Sequence, residues 1–186
     1  DGFDIGGARA RPGDAILLSG FIGDHGMTIM STRESLAFGA DLCSDTAALH
    51  GLVAAMLEPV APAMRADPAR GIRVLRDPTR GGLATTLNEI AGQSGVGMLI
   101  EEAAIPVRPQ VEAACEFLGL DPLYVANEGK LVAIVAAPDA DAVLAAMRAH
   151  PLGRDAARIG TVTEDPHHFV QMATRFGGRR VVDWLT

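Results

Sequence analysis

Lysine is almost missing from this chain. Fifteen of its sixteen basic side chains are arginine, and Lys130 stands alone. An arginine-biased genome would produce that background, but the one ammonium left can act as a compact point charge where a planar guanidinium cannot. Aromatics are scarce as well: one Tyr, one Trp and six Phe in 186 residues leave few platforms for base stacking. With a net charge of −7, this argues against a nucleic-acid surface. The two cysteines, Cys43 and Cys115, are isolated, with no Cys-x-x-Cys pair and no histidine at metal-ligand spacing, and they read as small buried hydrophobes. No apolar run is long enough to span a membrane, and no basic, apolar, small-residue leader opens the chain. The expectation is a soluble cytoplasmic protein. No Gly-Lys-Ser/Thr follows a glycine loop, so a Walker A site is excluded, and no nucleophile elbow organises the serines, histidines and aspartates.

Apolar content is ample: 48% of residues are hydrophobic, which suits one domain with a real core, or one domain and a small lobe. The chain is organised around Arg76-Asp77-Pro78-Thr79-Arg80-Gly81-Gly82-Leu83. Ile72, Val74 and Leu75 lead into it as a strand, and Leu83, Leu87, Ile90 and Ala91 lead out at helical spacing. A strand, a glycine turn and a helix leave unpaired N–H groups at the helix start, where anions bind well. Asp77 and Thr79 are competent N-caps. Glycines and a capping aspartate also serve turn geometry alone, so both readings stand.

Two further polar clusters sit beside strands. Residues 15–19 read as a buried strand followed by a glycine-rich turn with Asp24 and His25, then a helix over 27–32. Asp24 is a candidate cap; His25 is either a ligand contact or a surface imidazole. Asn127-Glu128-Gly129-Lys130 precedes the apolar run 131–136, at a sheet end where ligand sites often form, although a simple turn with solvated charges fits equally. Helices are expected around 49–57, ended or kinked by Pro59 and Pro62, from Leu83 to about Gly92, from Pro109 to Gly119, and after Pro138-Asp139. Residues 34–45 read as irregular, and 157–162, 169–172 and 179–182 as closing strands with a Gly177-Gly178 hairpin. His167 and His168 on a strand would face opposite ways, so no metal site is assigned to them. Strands and helices mix without strict alternation, which predicts α+β: a mixed sheet covered by helices.

Three segments, in this order and spacing, resemble the C-terminal half of the HypE family of hydrogenase maturation factors. They are Pro12-Gly13-Asp14 through Gly23-Asp24-His25-Gly26, the long run from Arg76 to Glu89, and Ala126-Asn127-Glu128-Gly129-Lys130. The likeness covers nearly the whole chain, and the central run is its specific part. It implies a fold like the C-terminal domain of PurM (aminoimidazole ribonucleotide synthetase), with partial ferredoxin-like topology, over residues 12–186. Residues 1–11 would be the linker stump of an N-terminal ATP-binding domain that holds most of the ATP and Mg²⁺, leaving this chain without tight nucleotide binding or activity of its own. The family's tail ends in Pro-Arg-Ile-Cys, which neither Cys43 nor Cys115 matches. The implied reaction is ATP-dependent dehydration of a carbamoylated tail cysteine to a thiocyanate. HypF is the implied carbamoyl donor, the HypC–HypD complex the cyanide acceptor, and a homodimer the assembly. Glu128 would be the base, Asn127 would orient the amide, and Lys130 would hold Glu128 ionised or meet the leaving phosphate. Asp77, Thr79, Arg80, Gly81 and Gly82 would contact the phosphates or the tail, with Asp24 and His25 near the groove. The rivals are a selenophosphate synthetase-like enzyme of the same superfamily and a non-catalytic dimerisation or binding module.

Overall fold

The computed structural model describes residues 3–34 and 44–184. Cys43 and most of the stretch expected to be irregular lie outside the described residues. A seven-stranded sheet runs through the molecule: β1 (Ala15–Leu18), β2 (Ile72–Arg76), β3 (Gly97–Glu101), β4 (Val132–Val135), β5 (Ala157–Thr163), β6 (Val170–Ala173) and β7 (Arg179–Val181), in the order β2-β4-β1-β5-β3-β6-β7. Among the described pairings of these seven strands only β3–β6 is parallel, so the sheet is mixed, as the unalternating element pattern predicts.

The central strands are covered on both faces, which is why β1 and β4 read as unbroken apolar runs. Ile16, Leu18, Val132 and Ile134 meet the helix α4 (Gly82–Ser94) through Leu83, Leu87, Ile90 and Ala91. Ala15, Leu17, Ala133 and Val135 point the other way, onto α2 (His50–Leu57) and α6 (Ala140–Ala149). A register shift between Ile72 and Val74 sends these two side chains to opposite faces despite their even spacing. The residue between them, Arg73, is buried against Asp14, its Nε 2.8 Å from Oδ2. A third, smaller core joins α1 (Asp24–Glu34) to α5 (Pro109–Leu118) through Met27, Val111, Ala114 and Cys115. Burial pushes the Cys115 thiol up to about 11, with Asp121 adding to the rise, as suits a packed, unreactive sulfhydryl.

Several elements differ from expectation. Pro62 does not break a helix; it occupies the first turn of α3 (Ala61–Ala66), where a missing N–H costs nothing. Gly92 is carried inside α4, and the left-handed Gly95 ends it instead. The 11-residue α1 starts at Asp24, three residues before the apolar pattern begins. His167 and His168 lie in a turn before β6, not on a strand; His167 stacks on Phe169. Residues 6–10, within the segment expected as a linker, pack on the rest of the chain. The N–H of Gly6 donates to the Arg73 carbonyl, Ser94 bonds to both Gly7 and Ala10, and Ala10 is buried in the core.

Candidate active site

Asn127 ties the three polar segments into one place. Its side-chain oxygen accepts from the Gly23 N–H at 2.7 Å. Its Nδ2 donates to the carbonyls of Pro78 at 2.9 Å and Val125 at 3.0 Å, and its own N–H also reaches Pro78. The residue is 1% exposed. Both side-chain N–H donors are therefore spent within the chain, so Asn127 holds the site together and has no donor left to orient a substrate amide.

The central turn closes on the same spot. Gly82 has φ +63, and a Cβ there would sit 2.4 Å from the Leu123 carbonyl oxygen and 2.7 Å from that of Val125. Only glycine permits this conformation and this approach of α4 to the 122–125 backbone. The helix is capped by Gly81 with no side-chain cap bond, so Asp77 and Thr79 do not serve as the caps expected of them. Asp77 and Arg80 are exposed and Thr79 is half-buried, whereas Gly82, Leu83 and Ala84 at the start of α4 are buried, and the Gly82 N–H donates to the Thr79 carbonyl at 3.1 Å. Neighbouring Arg76 pairs with Glu89.

The first segment completes the cluster. Asp24 is buried, its Oδ2 accepting from Arg108 Nε at 3.0 Å, and Arg108 stacks over Phe21 with its Cζ 4.1 Å from the ring centroid. The other oxygen, Oδ1, has no hydrogen-bond partner among the described residues. His25 Nδ1 is 2.9 Å from Ser44 Oγ. Beside these, His25, Gly26, Ile29, Met30, Tyr124 and Val125 line an open, mainly apolar depression of about 500 Å³.

Glu128 is half-buried and makes no hydrogen bond or ion pair among the described residues. Lys130 does not hold it: the ammonium pairs with Asp45, Nζ to Oδ2 2.6 Å. Asp45 is a site residue that the sequence did not reveal, because it sits in a mixed stretch with no period and no motif. Arg108 was missed for a related reason. It directly precedes the Pro109 of α5, and nothing local signals a partner 84 residues away. No cluster of three possible metal-ligating side chains occurs among the described residues.

Residues 11–173 match the family described as AIR synthase related protein, C-terminal domain. The chain belongs to that family. Within it the chain is similar to a carbamoyl dehydratase HypE from Cupriavidus necator, 71% identical over 185 residues that make up all of this chain and 50% of that protein. Among solved structures it is similar to a chain of a HypE–HypF complex, at TM-score 0.88 and 44% identity over 97% of this chain and 56% of that one. It is also similar to HypE in complex with ATP, at TM-score 0.86 and 50% identity over 98% and 53%. The chain spans about half the length of the curated relatives it matches. Among the described residues no helix is long and apolar enough to cross a membrane.

Proposed function

We propose that this chain is the C-terminal half of a cytoplasmic, ATP-dependent carbamoyl dehydratase of [NiFe]-hydrogenase maturation. The observation that carries the reading is the 71% identity, along the whole chain, to a protein named for that activity. A remaining half of similar length would hold most of the ATP and its Mg²⁺. The reaction converts a carbamoylated cysteine, R–S–C(=O)–NH₂, to the thiocyanate R–S–C≡N. The carbamoyl group comes from HypF, the cyanide goes on to a HypC–HypD complex, and the enzyme works as a homodimer.

ATP supplies the phosphoryl group that turns an amide oxygen into a leaving group. This chain then has two tasks. The exposed part of the Asp77–Gly82 turn, with Thr79 and Arg80, meets the phosphate or the passing tail. O-phosphorylation with loss of a first nitrogen proton to solvent gives the imidate R–S–C(OPO₃²⁻)=NH, and Glu128 takes the remaining nitrogen proton. As the N–H bond breaks, its electron pair forms the third C–N bond, and the C–O pair departs with phosphate. A base must be unpaired to do this, and the lack of a partner for Glu128 among the described residues supports the assignment. Asn127 fixes the Glu128 turn against Pro78 and Gly23. Asp24 and His25 form the adjoining wall.

The test is Glu128→Gln in the full-length enzyme. Thiocyanate formation is expected to fall about 100-fold or more, the contribution of a positioned base, while the protein still folds. Normal rates of both ATP hydrolysis and thiocyanate formation in that variant would remove Glu128 from the mechanism. The 186-residue chain alone is expected to show no ATP turnover.

A further inference from the structure

Residues 44–47 lie across the turn that carries Glu128. Gly129 has φ +64, and a Cβ on it would fall 2.0 Å from the Asp45 carbonyl oxygen and 2.7 Å from the Ala47 nitrogen. Any side chain at 129 would lift this segment away. The segment is tied on its other flank as well: Ser44 Oγ is 2.9 Å from His25 Nδ1, and within the segment it is 2.9 Å from Thr46 Oγ1. It thus brings Asp45 to the chain's one lysine, and the paired side chains of Lys130 and Asp45 are only 12% and 11% exposed.

Lys130 and Glu128 flank Gly129. An ammonium on a flexible four-carbon stem, two residues from a carboxylate with no partner among the described residues, is drawn to it electrostatically. Contact would occupy the oxygen that must take a proton. We propose that Asp45 is a positioning residue: it anchors the Lys130 ammonium on the 44–47 segment and so keeps the Glu128 carboxylate free to act. This rests on the reading of Glu128 as the base. It also accounts for a carboxylate that no motif announced, held against the only side-chain ammonium in the chain.

Two experiments decide it. In the 186-residue chain, which buries the central strands of its sheet on both faces, Lys130 is the only side-chain amine. Its acetylation by limiting acetic anhydride can be read by peptide mass spectrometry against the N-terminal amine. Asp45→Asn is expected to raise that rate about fivefold as the ammonium leaves its ion pair. In the full-length enzyme, Asp45→Asn is expected to lower kcat about tenfold with KM for ATP unchanged, and Asp45→Glu to restore most of it. Adding Lys130→Met to Asp45→Asn is expected to recover kcat, because the freed ammonium is the cause; a merely structural loss would not be rescued this way. An unchanged acetylation rate, an unchanged kcat in Asp45→Asn, or a double variant as slow as the single one overturns the proposal. A wild-type enzyme that forms no thiocyanate retires the proposed function and this role for Asp45 together, while the acetylation rates still report whether the anchor exists.

Discussion

The antiparallel pair β2–β4 has two ends, and they treat a carboxylate in opposite ways. At one end, where β2 begins and β4 finishes, Asp139 is saturated. Its oxygens accept from Arg70 Nε at 2.9 Å, Arg70 Nη2 at 2.6 Å and the Gly71 N–H at 2.6 Å. The hydrogen bonds from Arg70 hold its carboxyl below the usual range against the opposing effect of burial, and Gly71 adds to the lowering. At the other end, where β2 finishes and β4 begins, Glu128 is left without a partner among the described residues, inside a frame of backbone groups that Asn127 has already satisfied. One end spends its carboxylate on the fold. The other spends an amide on the fold and keeps the carboxylate in reserve, which is the arrangement a proton acceptor needs.

The contrast can be broken most severely at Asn127. Asn127→Ala strands the buried Gly23 N–H and the Val125 carbonyl, leaves the Pro78 carbonyl only the main-chain N–H of residue 127, and is expected to cost about 4 kcal/mol in urea unfolding, at 1–3 kcal/mol per stranded group. A loss under about 1 kcal/mol would show that water takes over those groups. Gly82→Ala comes next, at about 3 kcal/mol, because it combines a left-handed backbone with a clash against main-chain oxygens that cannot swing aside. Asp139→Asn is expected to cost about 2 kcal/mol at neutral pH.

The same residue carries a pH signature. Its folded value is depressed, so its contribution is complete above about pH 5 and fades as the pH falls through the folded value. In Asp139→Asn the acid limb of the stability curve should flatten accordingly. The smallest effect sharpens the comparison most: Glu128→Gln should change stability by no more than about 0.5 kcal/mol, the range of a side chain that supports nothing, even as it abolishes turnover. A larger loss would mean that Glu128 is structural after all.

Much of the fold was legible because its signals are local. Pro109 and Gly119 bound α5 as read, since proline at a first turn and a left-handed glycine at an end are properties of single residues. The strands β1 and β4 were legible from apolar runs, and the hairpin before β7 from its paired glycines. α3 was not, because a proline that breaks a helix and one that starts a helix look alike until the chain direction is known. The site was legible in part: the segments holding Asp24, Gly82 and Asn127 were all singled out. What each does was less so. Asn127 offers the same amide whether it binds substrate or three strands of backbone, and Lys130 takes its partner from a segment some 85 positions earlier, which no periodicity could name.

By itself, the sequence determined the secondary structure's punctuation and the mixed α+β class, because turn chemistry and burial patterns act over a few residues. It also determined that one lysine and two glycine-rich turns would stand out. Only the tertiary structure decided which polar atoms are consumed and which are left over. That depends on distances between residues far apart in the chain: Gly23 to Asn127, Pro78 to Asn127, and Asp45 to Lys130. Hydrogen bonds and ion pairs are short-ranged and exclusive, so a group's role is set by what the fold brings within about 3 Å of it, and not by its neighbours in sequence.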